Sequence, residues 1–589
     1  MADFDLHIRN GTIVDGTRAP RFRGDLWIKD GRIAQIGGRA SGSVEQEIDA
    51  TGHIVAPGFI DLHTHYDGQI RWDPYCTGSG WHGVTTVAFG NCGFGFAPVQ
   101  PEFRERAMLS MTRNEAIPLP ALQEGMPWDW ETIPEFLDSF DRTPKGVNCA
   151  TYLPMGPLMI YVMGLEAAKT REATPSEREE MRRLLHEGMD AGCLGFSFQR
   201  LGPNSAQADF DGSPNVTDTM SDEEVFNLAR VLRERDEGTI QVLNAENGGG
   251  SEPRPGGRSS DREFQEELAA ISGRPILYNF VPVNPVKPDF HVEIMEWIAE
   301  CNRKGLRMYG HGFTVRSGYG IILDGWNLYD VSPAWRELTT GTFDEQMRKV
   351  ADPKLREWLR REQDENPDLA QGQLAAGGPP HQLRVRSTGG NDELEKYVGK
   401  SIGRIAKEEG KHIIDVMLDL SMAGNLQVEF VQPEFPHNPE YSAALYNDSP
   451  YIIPGLSDGG AHTKFISFAS WTTDMLAWLV RDEKTMTLEE AHYRLSALPA
   501  HVMGFRDRGV LREGAAADIV VYDLDRLDIE PRWVGNIEHD LPAGEWRRNQ
   551  RAIGYKSIIV NGQVTFEDGE CTGATPGALL RQGAASHEP

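Results

Sequence analysis

No apolar run in the 589-residue chain approaches the roughly 20 residues needed to cross a bilayer. The opening, MADFDLHIRN, lacks the basic stretch and apolar core of a signal peptide, so the chain reads as cytoplasmic. Cysteine is scarce, with six residues at 76, 92, 149, 193, 301 and 571 and no CxxC pair, which argues against a disulfide framework. Basic residues are outnumbered, 59 Lys and Arg against 88 Asp and Glu, for a formal net charge of -29. A chain this acidic has no basic footprint for nucleic acid or for an anionic membrane surface. The expected partner is a small-molecule substrate, and homo-oligomerisation stays open. What is present is ordinary for a globular protein: 39% hydrophobic and 25% charged residues, in a chain long enough for more than one folding unit.

Both ends are β-rich in pattern. DLHIRNGTIVDG, GDLWIKDGRIAQIGG and HIVAPG alternate apolar and polar residues, with Asn-Gly and Asp-Gly between runs. GVLREGAAADIVVYD (509–523) and YKSIIVNGQVTFEDGE (555–570) return to that texture, so residues 1–57 and 506–589 are expected to build one small β-sandwich. Between them, eight apolar runs alternate with amphipathic helices: 59–65, 84–92, 147–156, 193–199, 239–246, 275–282, 307–314 and 451–459. Eight such units are the count of an α/β (β/α)8 TIM-like barrel, placed at 58–505. The helices at 176–192 and 221–238 each open on a Ser that can cap them and end at Gly. A segment of about 315–450 interrupts the rhythm after the seventh strand. It is helical in pattern and leaves from the face where barrel active sites lie, so it is expected to cover the mouth.

The chemistry-bearing residues fall at strand ends. In FIDLHTH, strand alternation sends His63 and His65 to one side, where two imidazoles can chelate a divalent metal. The plainer alternative is a polar pair closing a strand. HGVTTVAFGNCG ends the second strand on Cys92, a metal-binding thiolate or a buried small hydrophobe. PGLSDGGAH ends the eighth on Asp458, which would abut the first strand in a closed barrel and serve as ligand and proton carrier, or else form an Asx turn. His311 in MYGHGF, His462 and Lys464 after Asp458, and Arg200 after the fourth strand are nearby candidates.

APGFIDLHTHYDGQ, HGVTTVAFGNCGF, GLSDGGAH, GVLREGAAADIVVYD and RAIGYKSIIVNGQVTFEDGECTGATPGALLR together resemble the amidohydrolase superfamily and, within it, the N-acyl-D-amino-acid deacylase group. The resemblance runs along nearly the whole chain. It implies a metal-bearing (β/α)8 barrel with a β-sandwich from both chain ends and an insertion late in the barrel. It implies that His63, His65 and Cys92 are metal ligands and that Asp458 is the catalytic aspartate and a further ligand. The group's histidines at the ends of strands five and six are missing. TIQVLNAEN and PILYNFVPV offer only Gln241, Asn244, Glu246 and Asn279, and no lysine ends strand four or five. Neutral amides are poor zinc ligands beside imidazole, so a single zinc or comparable divalent metal per chain is expected.

The expected activity is hydrolysis of a carbon–nitrogen bond other than a peptide bond, in an N-acyl amino acid or related N-acyl compound, by metal-activated water. His311, His462 and Asn279 would meet substrate. Two rival readings remain: a hydantoinase-like hydrolase of cyclic amides or imides, and a metal-free barrel acting as a binding or assembly protein.

Overall fold

The computed structural model describes residues 2–38, 40, 42–203, 207–244, 261–283, 289–325, 328–365, 379–434 and 436–582. It is an α/β fold with a β-rich domain. Among the described residues no helix is long and apolar enough to cross a membrane.

Both chain ends enter one nine-stranded sheet. The joint lies where Ile54–Pro57 pairs antiparallel with Ile519–Tyr522, from Ile54 opposite Tyr522 to Pro57 opposite Ile519. Alternate residues of these strands (Leu6, Ile8, Leu26, Ile28, Val521, Ile559) fill one apolar layer, as the two-residue side-chain period dictates. Asp30-Gly31, Asn561-Gly562 and Asp568-Gly569 form its tight turns, with both residues at positive φ, the geometry that two-residue hairpins favour. Asn10-Gly11 behaves differently. It lies inside the single strand Phe4–Ile13, with Asn10 at φ 62° and a register shift between Ile8 and Gly11. The pair makes a β-bulge there and not a hairpin.

Among the described residues, eight parallel strands occupy the middle of the chain: Phe59–Asp61, Val84–Phe89, Asn148–Thr151 with Leu153–Pro154, Gly195–Arg200, Thr239–Asn244, Ile276–Pro282, Met308–Phe313 and Ile452–Pro454. They fall into two arcs divided at Tyr152. The first three pair in order, and the other arc runs from Leu153–Pro154 through strands four to eight. Strand-end backbone continues the pairing, with Tyr152 N–H donating to Phe89 O at 3.0 Å and His65 N–H to Gly459 O at 2.7 Å. One apolar cluster draws Ile60, Ala88, Ala150, Leu277 and Ile453 from the first, second, third, sixth and eighth strands.

The helices at Pro175–Asp190 and Asp222–Arg235 lie close to their expected spans, but the caps differ. Thr174, not Ser176, caps the first, in a reciprocal capping box with Glu177; Pro175 fits the first helical position, where no N–H is needed. Ser221 precedes the second helix, yet its hydroxyl turns to Glu224 and caps no backbone N–H. That helix stops at Asp236 in the left-handed conformation, two residues before Gly238.

The segment after strand seven carries its own antiparallel sheet, in which Val428–Val431 lies between Gly320–Ile321 and Arg384–Thr388. It is tied to the body by buried ion pairs. Arg113 donates to Asp330 at 2.6 Å, and Arg548 reaches Glu429 while its Nε donates to Lys464 O at 2.9 Å. Arg548 and Glu429 are both excluded from water. Replacing one partner of such a pair strands the other charge in a dry site. Glu429→Ala should therefore lower the free energy of unfolding by about 3–5 kcal/mol in denaturant titrations, and a Glu429→Met, Arg548→Met double variant should recover most of it. A loss below about 1 kcal/mol in the single variant would contradict this view of the joint.

Candidate metal centre

The first strand is regular only to Asp61, and the turn that follows is built by side chains. Asp61 Oδ1 accepts the His63 N–H at 3.1 Å, and Trp471 Nε1 donates to Asp61 Oδ2 at 3.2 Å. Asn91 Nδ2 donates to Thr64 O and Ala88 O at 3.1 and 3.0 Å, clamping the ends of strands one and two. On the other side, Thr64 and Gly459 form a parallel bridge and the Ser457 hydroxyl donates to His63 O at 3.4 Å. The histidine pair is thus held between the ends of strands two and eight.

Cys92 and Asp458 both sit at positive φ, 56° and 48°, a region L-residues with a Cβ seldom adopt. Gly93 makes the first of these turns possible. Its own φ is 77°, and a Cβ there would lie 2.9 Å from Phe198 Cα. Gln241 Oε1 accepts the Cys92 N–H at 2.6 Å, so strand five supports this turn from below.

These turns bring four side chains together. His63 Nε2 stands 3.4 Å from Cys92 Sγ and 3.2 Å from Asp458 Oδ1, and His65 Nε2 stands 3.8 Å from the same oxygen. Donor atoms of His63, His65 and Cys92 all lie within 4.8 Å of one another. Asn279 bridges two rings, with its side-chain nitrogen 2.5 Å from His63 Nδ1 and its oxygen 2.6 Å from His311 Nδ1.

The imidazoles and the thiol are buried while the Asp458 side chain is 18% exposed, and burial sets the charge states. It pushes His63, His65 and His311 down to about 3 and His462 to about 4, so the imidazoles are neutral with nitrogen lone pairs available. Burial, reinforced by Glu115 and Asp458, drives the Cys92 thiol well up. Burial also raises Asp458, opposed by His462 and His65. Asp67, two residues past His65, rises to about 7 through burial, and its Oδ2 has no hydrogen-bond partner among the described residues. Two neutral imidazoles, a thiol and a carboxylate converging at strand ends fit a divalent cation, which would stabilise the deprotonated forms that burial opposes.

The other candidates divide. Asn244 Nδ2 donates to Asn279 O at 3.1 Å, so this strand-five amide holds backbone. Glu246 lies outside the described residues. Lys464 turns away to Glu545 at 3.3 Å, and Arg200 pairs with Asp222 and stacks on Phe264. Cys76, Cys149, Cys193 and Cys301 are buried free thiols and Cys571 is exposed. His462 is in the neighbourhood through a residue the sequence did not mark. Glu115 Oε2 lies 3.3 Å from His462 Nε2, and its Oε1 lies 3.8 Å from His65 Nδ1. Glu115 follows the helix Arg104–Asn114 in TRNEAIP, where no periodicity or motif distinguishes it from a surface acid. Asp67 did carry a signal, because it shares the HTHYD stretch with the histidines.

Residues 46–566 match the model of an amidohydrolase family. The chain is 26% identical to the D-aminoacylase of Alcaligenes xylosoxydans xylosoxydans, covering 99% of this chain and 98% of that protein. It is 28% identical to an uncharacterised protein of Mycobacterium tuberculosis, covering 97% and 93%. Among solved structures, a D-aminoacylase superposes with a TM-score of 0.64 at 22% identity over 98% of this chain and all of that one. The N-acyl-D-glutamate deacylase of Bordetella bronchiseptica, complexed with zinc and a phosphonate inhibitor, superposes with a TM-score of 0.63 at 23% identity over the same shares. With a family model matched over residues 46–566, well over half of its length, this chain belongs to the amidohydrolase family.

Proposed function

We propose that the protein is a metal-dependent hydrolase of carbon–nitrogen bonds other than peptide bonds, acting on an N-acyl amino acid of the D series. The observation that carries this reading is the convergence of His63, His65, Cys92 and Asp458 in one cluster at strand ends. The deacylase names of the full-length relatives give the substrate class. In this reading the eight parallel strands close as a (β/α)8 barrel within residues 58–505. Residues 1–57 and 506–589 form the small sandwich, and about 315–450 forms a cover. The Thr64–Gly459 bridge and the apolar cluster shared by five strands support closure.

His63, His65, Cys92 and Asp458 would hold one divalent metal, with zinc the fitting choice for a mixed nitrogen, sulfur and oxygen set. A second ion lacks support, because strands five and six supply amides where imidazoles would be needed. A bound metal supplies Lewis acidity, lowering the pKa of a water and polarising the scissile carbonyl. Asp458 takes a proton of the attacking water and delivers it to the departing amine nitrogen, so that water and amide become carboxylic acid and amine, which leave as carboxylate and ammonium.

Asn279 sets the tautomers on both sides of this chemistry. Turning the Asn279 amide over would exchange the nitrogen 2.5 Å from His63 Nδ1 with the oxygen 2.6 Å from His311 Nδ1, so that Asn279 accepts from His63 Nδ1–H and leaves His63 Nε2 unprotonated for the metal. His311 Nε2–H is then a donor for the substrate carbonyl oxygen. The His311 Nε2 atom is buried and has no partner among the described residues, as a group reserved for substrate would be. His462 would border the substrate, with its Nε2 facing Glu115 at 3.3 Å.

Metal analysis of the purified protein should find about one zinc or comparable ion per chain, lost in the His63→Ala, His65→Ala double variant. Protein without metal, and without metal-restored turnover, would leave no enzyme to explain. Profiling should show hydrolysis of linear N-acyl-D-amino acids and none of hydantoins or other cyclic imides; activity confined to the rings would defeat the deacylase assignment. Asp458→Asn should lower kcat by about 100- to 10,000-fold, and undiminished kcat would remove Asp458 from the proton path.

A further inference from the structure

Glu115 has no role in the scheme above, yet its placement is costly. Its side chain is buried, and burial of an ionised carboxylate costs several kcal/mol unless it is well paired. It also follows the last turn of the 11-residue helix Arg104–Asn114, with its N–H donating to Met111 O at 2.9 Å. That is the negative end of the helix dipole, where an acid is disfavoured. Helix stability therefore does not account for it.

What surrounds Glu115 is the metal cluster. Oε1 faces His65 Nδ1 at 3.8 Å and Oε2 faces His462 Nε2 at 3.3 Å. Its backbone oxygen accepts the His462 N–H at 2.6 Å. Two residues earlier Arg113 is locked to Asp330 and Thr339. The carboxylate thus stands between the turn after strand one and the turn after strand eight, on a helix end fixed from outside. His65 Nδ1 and both Glu115 carboxylate oxygens are buried and make no hydrogen bond among the described residues, so the facing groups stand just outside bonding geometry. His65 Nε2, the opposite ring atom, faces Asp458.

Resting on the metal reading of this site, we infer that Glu115 is a positioning residue that fixes the tautomer and ring orientation of His65. Its Oε1 takes the His65 Nδ1–H, and its Oε2 takes the His462 Nε2–H. His65 Nε2 then presents a lone pair to the metal beside Asp458. Carboxylates behind metal-binding imidazoles act this way, and their loss weakens metal binding by about 10- to 100-fold. Glu115 would also hold the two loops in register, so that His65 and Asp458 move as one unit.

The test uses the full-length chain stripped of metal and titrated with Co(II) against a competing chelator. Affinity, the visible absorption spectrum of bound cobalt and the melting temperature of the metal-free protein are compared for the unaltered chain, Glu115→Gln and Glu115→Ala. Glu115→Ala should bind cobalt about 10- to 100-fold more weakly, with an altered spectrum, while its metal-free form melts at the same or a higher temperature. Glu115→Gln, with one acceptor oxygen in place of two, should fall between. Unaltered affinity and spectrum in Glu115→Ala would overturn the inference and leave the metal reading standing. A metal-free Glu115→Ala that melts well below the unaltered chain would also overturn it, because the role would then be structural. Failure of the unaltered chain to bind cobalt at all would remove the metal reading and this inference together.

Discussion

Desolvation of the donors is the constraint on which the rest of the site depends. His63, His65 and Cys92 come together where water does not reach, so the imidazoles stay neutral and the thiol is held protonated until a positive charge arrives. In water the same side chains would be solvated individually and would have little reason to converge. Keeping them dry needs the seam between strands one, two and eight to be sealed by backbone and side-chain bonds. Those bonds come from Asp61, Asn91, Ser457 and the His65–Gly459 pairing. Strained turns are the local cost of that arrangement: Cys92 and Asp458 both adopt positive φ to aim inward from their strand ends.

The supports of the site come from further along the chain. Gln241 on strand five holds the Cys92 turn by its amide, and Asn279 on strand six holds two imidazoles. These are the strands that lack the histidines a second ion would use. An amide in those positions trades ligation for orientation, since it offers a donor and an acceptor in one plane and little affinity for zinc. The insertion after strand seven joins the same scheme through Arg113–Asp330 and Arg548–Glu429. Arg113 stands two residues before Glu115, and Arg548 also donates to Lys464 O in the loop after Asp458.

Much of this was legible in the sequence, and what escaped has physical reasons. Because period-two and period-3.6 patterns survive without tertiary context, the alternation of eight apolar runs with amphipathic helices located the eight central strands among the described residues, but not the parallel strand Val44–Asp49 near the N-terminus. His63, His65, Cys92 and Asp458 could be read because each ends a strand beside glycine or another metal-binding type. Glu115 could not, since a lone acid after a helix looks solvated until the fold buries it. Asn279 was visible as a polar residue in an apolar strand, but its bridging of His63 and His311 depends on neighbours 216 and 32 positions away. Asn10-Gly11 misled in the other direction. The dipeptide that marks a hairpin turn also suits a bulge, and only the partner strand decides which forms.

The central claim is that one metal binds to a mixed shell containing the Cys92 sulfur. X-ray absorption at the edge of the metal carried by the purified protein tests it most directly. The account predicts one sulfur neighbour at about 2.3 Å with nitrogen and oxygen neighbours at about 2.0–2.2 Å. A shell of nitrogen and oxygen alone would contradict it by removing Cys92 from the site.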